Sequence, residues 1–99
     1  MALMEMNKVK VPGKNKEHKV LVYALSTCAW CKMLKQLLKE NNVEFEYVDV
    51  DRCNEKEKEE IKREILSRGG ELVYPTIIID DKVLISGFRK DKLREVLAV

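Results

Sequence analysis

The 99-residue chain is long enough for one domain with a modest core and too short for two. Its 19 basic and 17 acidic side chains leave a net charge of +2, and aromatic residues make up only 6%, a balance that excludes a nucleic-acid surface built on excess positive charge. No apolar run approaches the roughly 18 residues that cross a membrane, and Met1-Ala2-Leu3-Met4-Glu5-Met6 lacks the apolar core of a secretion signal, so a cytoplasmic protein without membrane contact is expected.

The first 17 residues carry mixed signals. Lys8-Val9-Lys10-Val11 alternates for four residues, Pro12-Gly13 turns the chain, and Lys14-Asn15-Lys16-Glu17 continues it as polar sequence. A short edge strand and a mobile tail both fit; the expectation is an N-terminal extension over residues 1–17, mobile, ahead of a folded domain over residues 18–99. Lys19 to Leu25 is a nearly continuous β-branched and aromatic run, the pattern of a central strand covered on both faces.

Ser26-Thr27-Cys28-Ala29-Trp30-Cys31 comes directly after that strand. Beyond it, apolar side chains at positions 30, 33, 34, 37 and 38 have the three-and-four spacing of one buried helix face. Cys28 is therefore expected to cap that helix, where unpaired backbone N–H groups and the positive end of the dipole favour a thiolate. Cys31, three residues on, falls on the same face, close enough for a disulfide to form and reopen. In an intracellular chain an odd set of three cysteines containing a C-x-x-C is catalytic or metal-binding rather than a structural staple. A tetrahedral metal site needs four ligands, and only Cys53 and His18 are left to complete one. His18 stands ten residues before Cys28 at the far end of the strand, on the order of 25–30 Å away, so the dithiol reading is preferred and no metal is expected.

Asn41-Asn42 ends the helix, and Val43 to Val50 alternates as a second strand. Strand, helix and strand make a right-handed βαβ unit with parallel strands, both of which end at the edge that carries Cys28. Cys53 comes after the second strand and should lie near that edge as a spare, exposed thiol; a second disulfide or modification by a small thiol is the sharper reading. Asn54-Glu55-Lys56-Glu57 has the form of a capping box, leading into a helix with a stripe of Ile61, Ile65 and Leu66 and with charge pairs Glu59–Arg63 and Glu64–Arg68 on its solvated face. Gly69-Gly70 stops it. Tyr74-Pro75-Thr76 opens a strand through Ile79, Asp80-Asp81 is a tight turn into Lys82-Val83-Leu84-Ile85, and Ser86-Gly87-Phe88-Arg89 leads to a last helix with Leu93, Val96 and Leu97 inward.

A C-x-x-C after the first core strand, an X-Pro-Thr before the next, and a Gly-containing loop before the final helix, in that order, make residues 19–97 resemble the glutaredoxins of the thioredoxin fold. The resemblance implies an α/β architecture, βαβ then ββα, with a four-stranded mixed sheet flanked by three helices and a cis Tyr74–Pro75 bond beside the dithiol. It also implies a thiol-disulfide oxidoreductase with Cys28 as attacking thiolate and Cys31 as resolving thiol. Thr27, Trp30, Tyr74, Pro75, Thr76, Gly87, Phe88 and Arg89 would then contact substrate, with Trp30 an exposed platform over the dithiol. Two departures bear on the donor. Glutaredoxins commonly read Cys-Pro-Tyr-Cys and carry Gly-Gly followed by an aspartate before the last helix; here Ala29 and Trp30 fill the first motif and Ser86-Gly87-Phe88-Arg89 replaces the second.

That S-G-F-R stretch, with Lys90-Asp91 after it, looks like the glutaredoxin-like redoxins that donate electrons to ribonucleotide reductase and draw them from thioredoxin reductase. The expected partners are protein disulfides and a thioredoxin-reductase-type donor, with glutathione or another low-molecular-weight thiol as the alternative reductant and no bound cofactor. A monomer is expected. The competing function is a binding module, either an iron–sulfur carrier or a non-catalytic thioredoxin-fold adaptor.

Overall fold

The computed structural model describes residues 8–98. In chain order the elements are β1 (Lys8–Val11), β2 (Val20–Ala24), α1 (Ala29–Glu40), β3 (Phe45–Asp49), a 3₁₀ turn (Val50–Arg52), α2 (Glu55–Ser67), β4 (Thr76–Ile79), β5 (Val83–Ser86) and α3 (Lys90–Leu97). The sheet runs β1-β3-β2-β4-β5, with β2 and β3 parallel and every other neighbouring pair antiparallel.

The apolar run of β2 is continuous because both faces of the sheet are covered. Val20, Val22 and Ala24 join a cluster with Cys31, Leu34 and Leu38 of α1 and Leu93 and Leu97 of α3. Tyr23, on the opposite face, meets Val48, Val50, Cys53 and Ile78 and the α2 residues Ile61 and Ile65. Leu34 and Leu38 are almost completely buried, and each such burial stabilises the fold by about 1.5–3 kcal/mol.

The expected four strands become five. Lys8–Val11, within the stretch read as a mobile extension, pairs antiparallel with β3, Lys8 opposite Val48 and Val11 opposite Phe45. Four alternating residues are weak on their own. The strand gains from Lys8–Glu46 and Lys10–Glu44 ion pairs, each at 3.8 Å, and from the anchored loop on its C-terminal side. There Asn15 donates its N–H to Asn42 O at 2.8 Å and accepts from Glu44 N at 3.0 Å. Gly13 lies so close beneath that loop that a Cβ would sit 2.5 Å from Asn42 O, which explains a Gly there. Residues 1–7 of the expected extension lie outside the described residues.

The turn chemistry agrees with the sequence. Asp80 and Asp81 both take positive φ (54° and 58°), the pair of left-handed residues that joins antiparallel strands tightly. Asn42, also left-handed at φ 55°, ends α1. Asn54 and Glu57 cap α2 reciprocally, Glu57 N to Asn54 Oδ1 at 2.8 Å and Asn54 N to Glu57 Oε1 at 2.9 Å. Of the two expected helix pairs, Glu64–Arg68 forms at 2.8 Å, and Arg68 also reaches Asp81 at 2.6 Å. Leu66, expected to face inward, is 54% exposed, because α2 meets the sheet only along Ile61 and Ile65.

Candidate active site

The β2–α1 junction is built as a capped turn. Cys28 N–H donates to Leu25 O at 3.2 Å, closing a turn over residues 25–28, and Cys28 then stands at the N-cap of α1 with extended backbone (φ −87°, ψ 118°). Its sulfur accepts the backbone N–H of Cys31 at 3.3 Å, so Sγ occupies the place where a Ser or Asp oxygen normally satisfies the first turn. On its other side, the Cys28 Sγ points at Tyr74 O, 4.0 Å away. All three cysteines are unlinked thiols.

Cys28 is half-buried and Cys31 has no exposed surface. Burial, then a side-chain hydrogen bond with Cys28, pushes the Cys31 thiol up to about 12. The pair is therefore asymmetric: an accessible sulfur at a helix N-terminus, and behind it a thiol that keeps its proton at neutral pH.

Trp30 is exposed, as the platform reading expects, and the helix face departs from the expected spacing at Met33. Cys31, Leu34 and Leu38 are buried, whereas Trp30 is 58% and Met33 49% exposed and Leu37 is only partly covered. The five apolar positions thus divide into a core line and an outer line. Trp30 heads the outer line and stands against Phe88, ring centroids 5.9 Å apart and planes tilted by 38°. Lys32 and Lys90 border the shallow groove that continues past Met33, Leu37 and Phe88.

The distant segment of the site is tied at the end of the β4–β5 ladder, where Thr76 pairs with Ser86. Gly87 N–H donates to Pro75 O at 2.7 Å, tying the Ser86–Arg89 loop to the Tyr74–Pro75–Thr76 segment, with Gly87 at φ 81°. The Tyr74–Pro75 bond is cis. Tyr74 is half-buried, and burial, followed by the nearby Cys31 and Cys53, raises its phenol. Thr76 is buried, with Oγ1 donating to Val73 O at 2.7 Å, so its side chain faces inward. Thr27 and Arg89 are exposed, and Arg89 makes no side-chain cap to α3.

Cys53, expected to be exposed, is not. It is 6% exposed, with Sγ directed to Asp49 O at 3.7 Å, because the 3₁₀ turn after β3 folds it under α2 rather than leaving it at the rim. His18 lies where expected, at the far end of β2, its Nδ1 2.6 Å from Asp80 Oδ2.

Two polar contacts at the active edge have no local sequence signal. Ser26 directs both its N–H (2.8 Å) and its hydroxyl (2.5 Å) to the carboxylate of Asp51. Lys35, one turn beyond Cys31, pairs with Asp49 at 3.4 Å and lies 3.7 Å over the Tyr47 ring. Only the parallel βαβ unit, which brings the ends of β2 and β3 to one edge, could have pointed to either.

Comparison with known proteins agrees with this arrangement. The family model described as Glutaredoxin matches residues 20–84, well over half of the chain. The chain belongs to the glutaredoxin family. Among curated relatives of this glutaredoxin is Glutaredoxin 1 of Rickettsia conorii, 38% identical over 64 residues, covering 65% of this chain and 60% of the relative. The chain thus spans about three-fifths of the length of that protein. Among solved structures, the glutaredoxin of Methanosarcina mazei Go1 superposes with a TM-score of 0.83 at 41% identity over 93% of this chain and 88% of that one. The glutaredoxin-like NrdH-redoxin of Escherichia coli, described as having a thioredoxin-like activity profile, superposes with a TM-score of 0.63 at 26% identity, covering 79% of this chain and 93% of that one. The mixed sheet with three helices is the thioredoxin fold. No described helix is long and apolar enough to cross a membrane.

Proposed function

We propose that this glutaredoxin reduces disulfides in other proteins by dithiol exchange. The observation that carries the reading is the Cys31 N–H to Cys28 Sγ contact at 3.3 Å, with Cys31 wholly buried behind it. The Cys28 thiolate attacks one sulfur of the substrate disulfide; a Cys28–substrate bond forms, the substrate S–S bond breaks, and the departing sulfur leaves as a thiolate that takes up a proton. Cys31 then gives up its proton and attacks the Cys28 sulfur, releasing the second substrate thiol and leaving a Cys28–Cys31 disulfide. Two electrons and two protons from a donor restore the dithiol.

The Trp30–Phe88 pair, with Trp30 exposed and Phe88 half-buried behind it, flanked by Lys32, Arg89 and Lys90, favours a protein substrate over a small one. Tyr74, Pro75, Thr76 and Gly87 form the backbone ledge along which the substrate chain lies, and Thr27 flanks the nucleophile. The Ser86-Gly87-Phe88-Arg89 loop and the likeness to NrdH-redoxin support a thioredoxin-reductase-type donor, with ribonucleotide reductase as the first substrate to try. Glutathione or another small thiol is the alternative donor. We assign the protein to the cytoplasm as a monomer.

NADPH consumption with insulin as substrate tests both levels. Wild type turns over, Cys28→Ser does not, and Cys31→Ser accumulates a mixed disulfide visible on non-reducing gels. Turnover by Cys28→Ser overturns the mechanism. Faster turnover with glutathione and glutathione reductase than with thioredoxin reductase overturns the donor assignment alone.

A further inference from the structure

Asp51 sits 23 positions from Cys28 in sequence, yet its carboxylate meets the turn that carries Cys28. The turn of residues 25–28 has one internal bond, Cys28 N–H to Leu25 O. Its remaining donors on Ser26, one backbone and one side-chain, both go to the two oxygens of one carboxylate, Oδ1 at 2.8 Å and Oδ2 at 2.5 Å. Hydrogen bonds to an ionised acceptor in this two-point geometry fix orientation as well as distance. These bonds, the Ser26 hydroxyl first and its N–H second, also hold the Asp51 carboxyl below its usual range, so the clamp stays intact across neutral pH.

The backbone that carries Asp51 is anchored in the core. Asp51 belongs to the Val50–Arg52 turn, whose flanking residues Val50 and Cys53 are buried in the α2-side core, and Cys53 N–H closes the turn on Val50 O at 3.1 Å. The end of β3 is thus bolted to the start of the nucleophile turn, two residues before Cys28. An acidic side chain at this place is unexpected on charge alone, since a carboxylate close to a developing thiolate opposes it. Its presence is explained if geometry outweighs repulsion.

We infer that Asp51 is a positioning residue for the nucleophile: through Ser26 it fixes the turn that seats the Cys28 sulfur on the Cys31 N–H. This rests on Cys28 being the attacking sulfur, as in the proposed function, but it is read without any disulfide substrate.

The test is iodoacetamide alkylation of the reduced 99-residue chain at pH 7, monitored at Cys28 by mass spectrometry, in wild type, Asp51→Ala, Asp51→Asn and Ser26→Ala. Asp51→Ala is expected to react about two- to fivefold more slowly, the scale on which a charge at a helix end is stabilised. Ser26→Ala, which keeps the backbone bond, should fall between. Asp51→Asn keeps both contacts without the negative charge, its amide oxygen accepting the Ser26 N–H and its amide N–H donating to the Ser26 hydroxyl, and should react faster than Asp51→Ala. A carboxylate that merely repels the thiolate predicts the reverse for alanine, so an Asp51→Ala rate equal to or above wild type, in a variant with native circular dichroism, overturns the inference. Failure of Asp51→Asn to react faster than Asp51→Ala overturns it as well. Should Asp51→Ala not fold, Ser26→Ala decides, and a wild-type rate there sinks the clamp. Normal alkylation with no insulin reduction would count against the proposed function and leave the clamp standing.

Discussion

The backbone N–H of Cys31 points at the sulfur of Cys28 across 3.3 Å, so in the proposed exchange the residue that resolves the mixed disulfide also supports the attacking sulfur. Its side chain meanwhile lies in the core with Leu34 and Val22. One residue thus serves the site twice: its amide stabilises the outer sulfur, and its thiol waits protonated. The division arises from the helix, which at N3 turns the amide toward the cap while the side chain falls on the core face.

Alkaline stability should fall in a defined window. The Cys31 thiol and the Tyr23 phenol are both pushed up to about 12, in each case first by burial, with Glu64 the second cause for Tyr23. The unfolded chain releases these protons near 9 and 10, while the folded chain keeps them. The stability they contribute is therefore complete below about pH 9 and is lost as pH rises toward about 12. Urea midpoints measured at steps from about pH 8 to 12 should decline across that range, and Tyr23→Phe should flatten part of the decline.

Acid should act through the surface carboxylates. Asp80, hydrogen-bonded first by His18 and then by Lys19 N–H, and Asp51, bonded by Ser26, both sit below the usual carboxylate range. Their contribution is present above the ordinary aspartate pKa of about 3.9 and disappears as pH falls through the lowered folded values. Thermal melts from about pH 6 to 2 should show a shallower acid limb for Asp80→Asn than for wild type.

Neighbouring positions on α1 should respond very differently to truncation. Leu34→Ala opens a cavity beneath the dithiol and should cost about 2–5 kcal/mol in urea unfolding. Met33→Ala, on the outer line, should change stability by no more than about 0.5 kcal/mol. Equal losses at the two sites would contradict the division of the helix face.

The aromatic platform should matter for proteins and not for small disulfides. Trp30→Ala or Phe88→Ala should raise KM for insulin about two- to tenfold, the range an aromatic contact supplies. Reduction of a small disulfide such as hydroxyethyl disulfide should stay within about twofold of wild type in both variants. A matching loss on both substrates would place the pair in the chemistry instead of in docking.

Much of this was legible in the residues. The C-x-x-C at a strand-helix junction, the Asn54–Glu57 box and the Asp80-Asp81 turn are local patterns, each satisfied by atoms within a few residues, and each forms as read. Whatever depends on a partner far along the chain was harder to see. Lys8–Val11 becomes a strand only because β3 offers a free edge, and Cys53 is buried only because the turn before it rolls under α2. Helical spacing identified the apolar positions of α1 but not where the sheet stops covering them, and Trp30 and Met33 lie beyond that boundary. The Ser26–Asp51 contact joins residues with no pattern in common.

The strand at Lys8–Val11 has a consequence for self-association. By lying along β3 it moves the sheet's rim outward to a segment of four residues, two of them lysines. Short, positively charged margins resist the backbone pairing by which sheets of separate molecules fuse. That margin is thereby a poor template for pairing between copies of this chain.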